Sequence, residues 1–250
     1  MSLQNKITLI TGGAKNLGAS IAHIFAASGA HLAIHYNSDA TRSEAEQLKS
    51  TLSKQYPKLK IELYQGDLTI VANVHHLFDH VVRDFGQVDI VINTVGMVLK
   101  KPLSDVSEAE YDKMFAINSK TAFFVTQEAA RKVTDGGKII NTVTALLAAY
   151  APMYTSYQGS KSPVEWFTKG LSKELMERRV SVNAVAPGPM DTPFFYGQET
   201  PEAVEFHKSN AIGGRLTVVD DIAPIYKFLC TEGAWINGQT LFANGGYTSR

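Results

Sequence analysis

Across 250 residues there is a single cysteine, Cys230, so an internal disulfide and a cysteine-based metal cluster are both excluded. A lone thiol also fits a reducing compartment. Charge is not in excess either: 24 Lys and Arg balance 24 Asp and Glu, for a formal net charge of +0. Without a basic surplus or a dense Lys/Arg cluster, the electrostatic footprint of a nucleic-acid binder is missing. No apolar run approaches membrane-spanning length, and no basic segment followed by a signal-length apolar core opens the chain. Long linkers, internal repeats and low-complexity tracts are missing as well. These absences predict a cytoplasmic protein with one domain over residues 1–250 and no nucleic-acid or membrane partner.

What the chain does have is rhythm. Short β-rich apolar runs at Ile7–Thr11, Leu32–Tyr36, Lys60–Tyr64, Val88–Asn93, Lys138–Val143, Ser181–Ala186 and Thr240–Ala243 alternate with helical patterns. The helical segments are Leu17–Ser28, Arg42–Gln55, Val71–Phe85, Glu108–Lys132, Tyr157–Arg178 and Asp220–Cys230. Such alternation predicts βαβ units. The fold class is therefore α/β: a Rossmann-type, doubly wound parallel sheet of about seven strands with helices on both faces. Ligands then bind at the carboxyl ends of the strands. One stretch breaks the rhythm. Residues 187–217 are rich in Pro, Gly and aromatics and too long for a plain connection, which predicts a binding loop or lid. Leaving Phe194, Phe195 and Tyr196 exposed is costly, which argues against a disordered excursion.

The turn after the first strand reads TGGAKNLG. A P-loop needs a Lys where Ala19 stands, and the GxGxxG spacing fails too. A TGxxxGxG loop fits Thr11, Gly12, Leu17 and Gly18, with Asn16 in place of the middle glycine. Asn is the non-glycine residue that best tolerates left-handed backbone, so the turn survives. Gly18 permits close approach, and the helix N-terminus favours an anion. Alone, the loop also fits a purely structural turn. Further on, Tyr157 and Lys161 stand at i and i+4 and share a helix face. An ammonium beside a phenol favours the phenolate and lowers the Tyr pKa. By itself this pair also fits an exposed helix surface.

Taken in order, TGGAKNLG, Asp67 in GDLT, Asn93-Thr94-Val95-Gly96, Asn118, Thr144, Tyr157/Lys161 and Pro187-Gly188-x3-Thr192 resemble the short-chain dehydrogenase/reductases. The resemblance spans about Asn5 to Tyr247. It implies that Tyr157 is the general acid in ketone reduction, and that Lys161 holds the nicotinamide ribose and lowers the Tyr157 pKa. Thr144, thirteen residues ahead of Tyr157 where the family has Ser, would bond the substrate oxygen. Asn118 would support a proton relay. Asp67, with Leu68, would meet the adenine. Asn93, Val95 and Gly96 would shape the wall behind the cofactor, and Pro187, Gly188, Met190 and Thr192 would cover the nicotinamide. NTVG in place of the usual NNAG is expected to change packing more than chemistry.

The cofactor expected is NADP(H). NAD-preferring relatives end the second strand on an acid, where this chain has Tyr36. Lys15 in the glycine loop can reach a 2′-phosphate, and Asn37 and Ser38 can donate to it. Asp39 reads as a turn or N-cap residue. The substrate wall expected is Thr144, Leu146, Tyr150, Tyr154 and Phe194, aromatic enough for a bulky apolar or aryl ketone. An acyl-carrier-protein type 3-oxoacyl-thioester reductase is the alternative, with Lys100, Lys101 and Arg215 as candidate grips. A non-catalytic NADP(H) sensor on the same fold is the rival of a different class. His75, His76 and His80 lack a third ligand at metal-binding spacing, so no metal is expected. The resemblance also implies a homotetramer, or failing that a dimer.

Overall fold

The computed structural model describes residues 2–149 and 151–249, so the expected wall residue Tyr150 lies outside the described residues. Seven strands form one sheet: β1 Ile7–Thr11, β2 His31–Tyr36, β3 Ile61–Gln65, β4 Val88–Asn93, β5 Val133–Thr142, β6 Ser181–Pro187 and β7 Thr240–Ala243. Their order is β3-β2-β1-β4-β5-β6-β7, and every pairing is parallel. All residues of β1, β4 and β6 are buried. That is why these strands read as near-continuous runs and not as alternating ones.

The helices are α1 Asn16–Ala27, α2 Arg42–Gln55, α3 Val71–Phe85, α4 Glu108–Phe115, α5 Thr121–Lys132, α6 Thr155–Glu174, α7 Pro193–Tyr196, α8 Pro201–Ser209 and α9 Val219–Cys230. Successive side chains of β1 point to opposite faces. Ile10 joins the layer of α1 and α9 with Phe25, Ile222 and Tyr226. Leu9 joins the layer of α3 and α5 with Phe78, Val81 and Val125. The strand order reverses between β1 and β4, whose last residues Thr11 and Asn93 are paired. A crevice opens at this switch point. Among the described residues, no helix is long and apolar enough to cross a membrane.

Besides end shifts of one or two residues, four features differ from the sequence reading. The single helix expected over Glu108–Lys132 is broken by a π-helical turn, Ala116–Lys120. The wide turn is held by the Thr121 hydroxyl, which donates to the Ala116 carbonyl at 3.0 Å. Such turns are costly and cluster at functional sites. β5 begins at Val133 and not Lys138, because Val88 pairs with Val133 before an irregularity in the ladder. α6 stops short of Arg178, whose guanidinium instead binds the Ala130 and Val133 carbonyls and pairs with Asp135 at 2.8 Å. Finally, residues 187–217 contain α7 and α8. Phe194 and Tyr196 are nevertheless 38% and 45% exposed, so their burial is not what orders this stretch. Local signals do part of that: Thr200 accepts from the Ala203 N–H at 3.3 Å and Pro201 occupies the first turn of α8.

Candidate active site

Asn16 has φ 50°, the left-handed conformation expected of it, and Gly12 has φ 67°. Gly18 is constrained differently. A Cβ there would lie 2.4 Å from the Gly12 oxygen and 2.8 Å from the Gly13 Cα, both backbone atoms that cannot swing aside. Gly18→Ala is therefore expected to cost about 1–3 kcal/mol, read as a lowered urea midpoint. The first turn of α1 has no side-chain cap and no acidic residue. Its orphan N–H groups and dipole leave a place for an anion.

His35 was not singled out in the sequence, because a polar residue in a buried strand carries no pattern of its own. It holds this loop. The Gly12 N–H donates to His35 Nδ1 at 3.2 Å, and Nε2 meets the Gly66 carbonyl at 2.8 Å. Both bonds are satisfied by a neutral ring protonated at Nε2. Burial pushes the His35 pKa down to about 4, against the opposing Gly66 bond. Folding thus favours the neutral ring, so its contribution is complete above pH 6.5 and is lost as pH falls towards 4. Between those pH values, wild type is expected to lose about 3 kcal/mol more unfolding free energy than His35→Gln, measured by urea titration.

The NTVG stretch does more than alter packing. The Thr94 hydroxyl bonds the Thr11 and Gly12 carbonyls at 2.7 and 3.2 Å, tying the β4 end to the glycine loop. Asn93 is buried behind the wall, accepting from the Thr11 hydroxyl at 2.8 Å and donating to Asn141 at 3.3 Å. Asp67 keeps one carboxylate oxygen on the Thr69 N–H and hydroxyl. Asp39 opens a helical turn and pairs with Arg42 at 2.7 Å.

At the other end, α6 places Tyr157 and Lys161 one turn apart, only 8% and 4% exposed. Lys161 Nζ donates to the Thr142 and Val95 carbonyls at 3.1 and 3.3 Å, and burial pushes its pKa down to about 8. Burial pushes the Tyr157 pKa up to about 12, against a hydrogen bond with Thr144. The lowered phenol pKa expected from the i, i+4 pair is thus absent: the ammonium faces backbone carbonyls, and desolvation wins. Thr144 opens a short turn, accepting from the Leu146 N–H at 3.3 Å. Asn118, on the π-helical turn, is fully buried. Its side chain accepts from the Met97 N–H at 2.8 Å and donates to the Met97 carbonyl and the Ser160 hydroxyl, each at 2.9 Å. It therefore fastens the segment after β4 to α6.

One cavity of about 750 Å³ joins these parts. Gly12, Lys15, Asn16, Leu17 and Gly18 line it together with Asn37, Ser38, Asp67 and Leu68. Val95, Gly96, Thr144, Leu146, Tyr154, Tyr157 and Lys161 follow, with Pro187, Gly188, Met190, Thr192 and Phe194. Asn93 and Asn118 stand behind the wall. Thr41, Glu199, His207 and Tyr247 also line it and were not foreseen. All three cations considered for gripping a carboxylate or phosphopantetheine have carboxylate partners: Lys100–Glu199 at 2.5 Å, Lys101–Glu110 at 2.9 Å and Arg215–Asp221 at 2.7 Å. Among the described residues, no group of three His, Cys, Asp or Glu is arranged to hold a metal. His75 pairs instead with Glu128 at 3.1 Å, and His76 stacks on His80.

Residues 12–248 match the model of a family described as enoyl-(acyl carrier protein) reductase. A short-chain type dehydrogenase/reductase of Picea abies is 34% identical, covering 98% of this chain and 93% of the relative. The Arabidopsis thaliana protein named NADPH-dependent aldehyde reductase 2, chloroplastic, is 32% identical, covering 98% and 95%. A crystal structure of a Burkholderia cenocepacia dehydrogenase with bound NADP superposes with TM-score 0.96 at 49% identity, covering 100% of this chain and 96% of that one.

Proposed function

Because the chain belongs to the short-chain dehydrogenase/reductase family, we propose that it is an NADPH-dependent oxidoreductase that reduces a ketone to a secondary alcohol. The observation that carries this reading is the single cavity shared by the glycine loop and by Thr144, Tyr157 and Lys161. The residues present fit the dinucleotide. The uncapped first turn of α1 suits its pyrophosphate, and Lys15, Asn37, Ser38 and Thr41 suit a 2′-phosphate. Gly96 lies so close to Lys161 that a Cβ would sit 3.0 Å from Nζ, leaving the narrow wall that a flat ring needs. Relatives named or solved with NADP(H) support the same cofactor.

When bound, the reduced nicotinamide supplies a hydride to the carbonyl carbon. The chain's own residues handle the proton. With its pKa at about 12, Tyr157 stays protonated at neutral pH and is suited to donate to the developing alkoxide. Thr144 bonds the same hydroxyl and stabilises the phenolate left behind. Lys161, held by the Thr142 and Val95 carbonyls, lines the same cavity and would hold the nicotinamide ribose. Residues 187–217 cover the substrate. Exposed aromatics on successive helices, Tyr111, Phe123 and Trp166, support assembly as a homotetramer, which light scattering on the purified protein checks.

The test is NADPH oxidation against ketones, aldehydes, a 3-oxoacyl thioester and an enoyl thioester, repeated with NADH. Ketone turnover preferring NADPH is expected. Thioester turnover at least tenfold faster would replace this reading, although the pairing of Lys100, Lys101 and Arg215 speaks against it. NADPH binding without turnover of any compound would leave a sensor.

A further inference from the structure

The cavity is lined by Leu146, Met190 and Phe194 and also by Tyr154, Glu199, His207 and Tyr247, and these last four gather around one carboxylate. Glu199 stands between α7 and α8 with a side chain 0% exposed. Its Oε2 pairs with Lys100 Nζ at 2.5 Å, and its Oε1 accepts from the Tyr154 hydroxyl. His207 Nε2 lies 3.4 Å from the same Oε1, while His207 Nδ1 lies 3.1 Å from the Tyr247 hydroxyl. Lys100, Tyr154 and His207 thus meet at Glu199, and Tyr247 joins them through His207.

The protons in this cluster have a determined direction. An ionised carboxylate only accepts, so Tyr154 donates to it and His207 presents its Nε2–H to it. Nδ1 of a neutral ring then carries no proton, so Tyr247 must donate to Nδ1. Burial opposes the charge on Glu199, but its hydrogen bonds to Lys100 and Tyr154 outweigh that and hold its pKa below the ordinary value. Burial holds His207 below its ordinary value against the pull of Glu199, so the ring is neutral at neutral pH. Both phenols have therefore committed their only proton to the Glu199 network. What remains on each oxygen is lone pairs, and both rings line the cavity, Tyr154 beside Tyr157.

Resting on the carbonyl reduction proposed above, we infer that Tyr154 and Tyr247 select carbonyl substrates that carry a second, hydrogen-bond-donating group, a hydroxyl or an N–H, away from the reacting carbonyl. A purely apolar ketone gains nothing from two acceptor oxygens. A carboxylate or phosphate beside these two phenols meets their acceptor oxygens and a buried carboxylate whose charge Lys100 already balances, so anionic substrates are disfavoured.

Acetophenones bearing a hydroxymethyl, a methoxymethyl or a carboxymethyl ring substituent test this, because the methylene insulates the carbonyl from the substituent. In wild type with NADPH, kcat/KM for the hydroxymethyl compound is expected to exceed that for the methoxymethyl compound about fivefold, with the carboxymethyl compound slowest. In the Tyr154→Phe/Tyr247→Phe double variant that ratio falls to about one. Each single variant lowers it part way, which keeps the test valid if the double variant does not fold. A wild-type ratio of one, a ratio preserved in the variants, or a preference for the carboxymethyl compound overturns the inference while leaving carbonyl reduction standing. Failure of wild type to reduce any carbonyl compound overturns carbonyl reduction and this inference with it.

Discussion

Replacing Tyr157 with Phe is expected to lower carbonyl turnover by about 10²- to 10⁴-fold and to leave NADPH affinity within about twofold. The ring packs with Met114 and Tyr154 in a small buried cluster, and Phe keeps that packing. Only the hydroxyl is lost, and with it the proton that the alkoxide needs. The Thr144 hydroxyl keeps its bond to the Leu146 N–H, so the neighbouring turn has no reason to move. Single-turnover rates and NADPH titration by fluorescence separate the two effects. Turnover within tenfold of wild type would remove Tyr157 from the role of proton donor. Loss of NADPH affinity in parallel with rate would make the residue structural.

Lys15→Ala is expected to raise the KM for NADPH by about 10- to 150-fold, the range of one charge-assisted bond of 1.5–3 kcal/mol, and to leave the KM for NADH unchanged. Lys15 is exposed at the start of α1 and lines the cavity beside Asn37 and Ser38. It makes no ion pair among the described residues, so its removal costs little stability. Nothing acidic stands at Tyr36 to repel a 2′-phosphate. An equal loss with both cofactors would place Lys15 on the shared pyrophosphate and remove the basis for preferring NADP(H).

The parts of this protein that were legible in the sequence are those governed by neighbours along the chain. β1 and β4 match their expected limits because a strand buried on both faces leaves an unbroken apolar run, and the half-buried edge strand β7 matches its limits as well. Asn16 was readable as a left-handed residue because few side chains tolerate that backbone. Tyr157 and Lys161 were readable because four residues make about one helical turn.

Other features were illegible for an equally definite reason. The π-helical turn at Ala116–Lys120 exists where buried Asn118 finds Met97 and Ser160, residues 21 and 42 positions away. The rise of the Tyr157 pKa to about 12 came from burial, and Lys161 turned to the Thr142 and Val95 carbonyls. His35 and Glu199 make their contacts across the fold, to Gly12 and Gly66 and to Lys100, Tyr154 and His207.

By itself, then, the sequence determined the doubly wound α/β fold, the strand-to-helix loop suited to a phosphate, and the phenol–ammonium pair, since each follows from periodicity or short spacing. Only the tertiary structure decided the protonation of Tyr157, the pairing of Lys100, Lys101 and Arg215, and the acceptor character of the Tyr154 and Tyr247 wall. Those depend on desolvation and on which charges meet in space, and neither quantity is a function of separation along the chain.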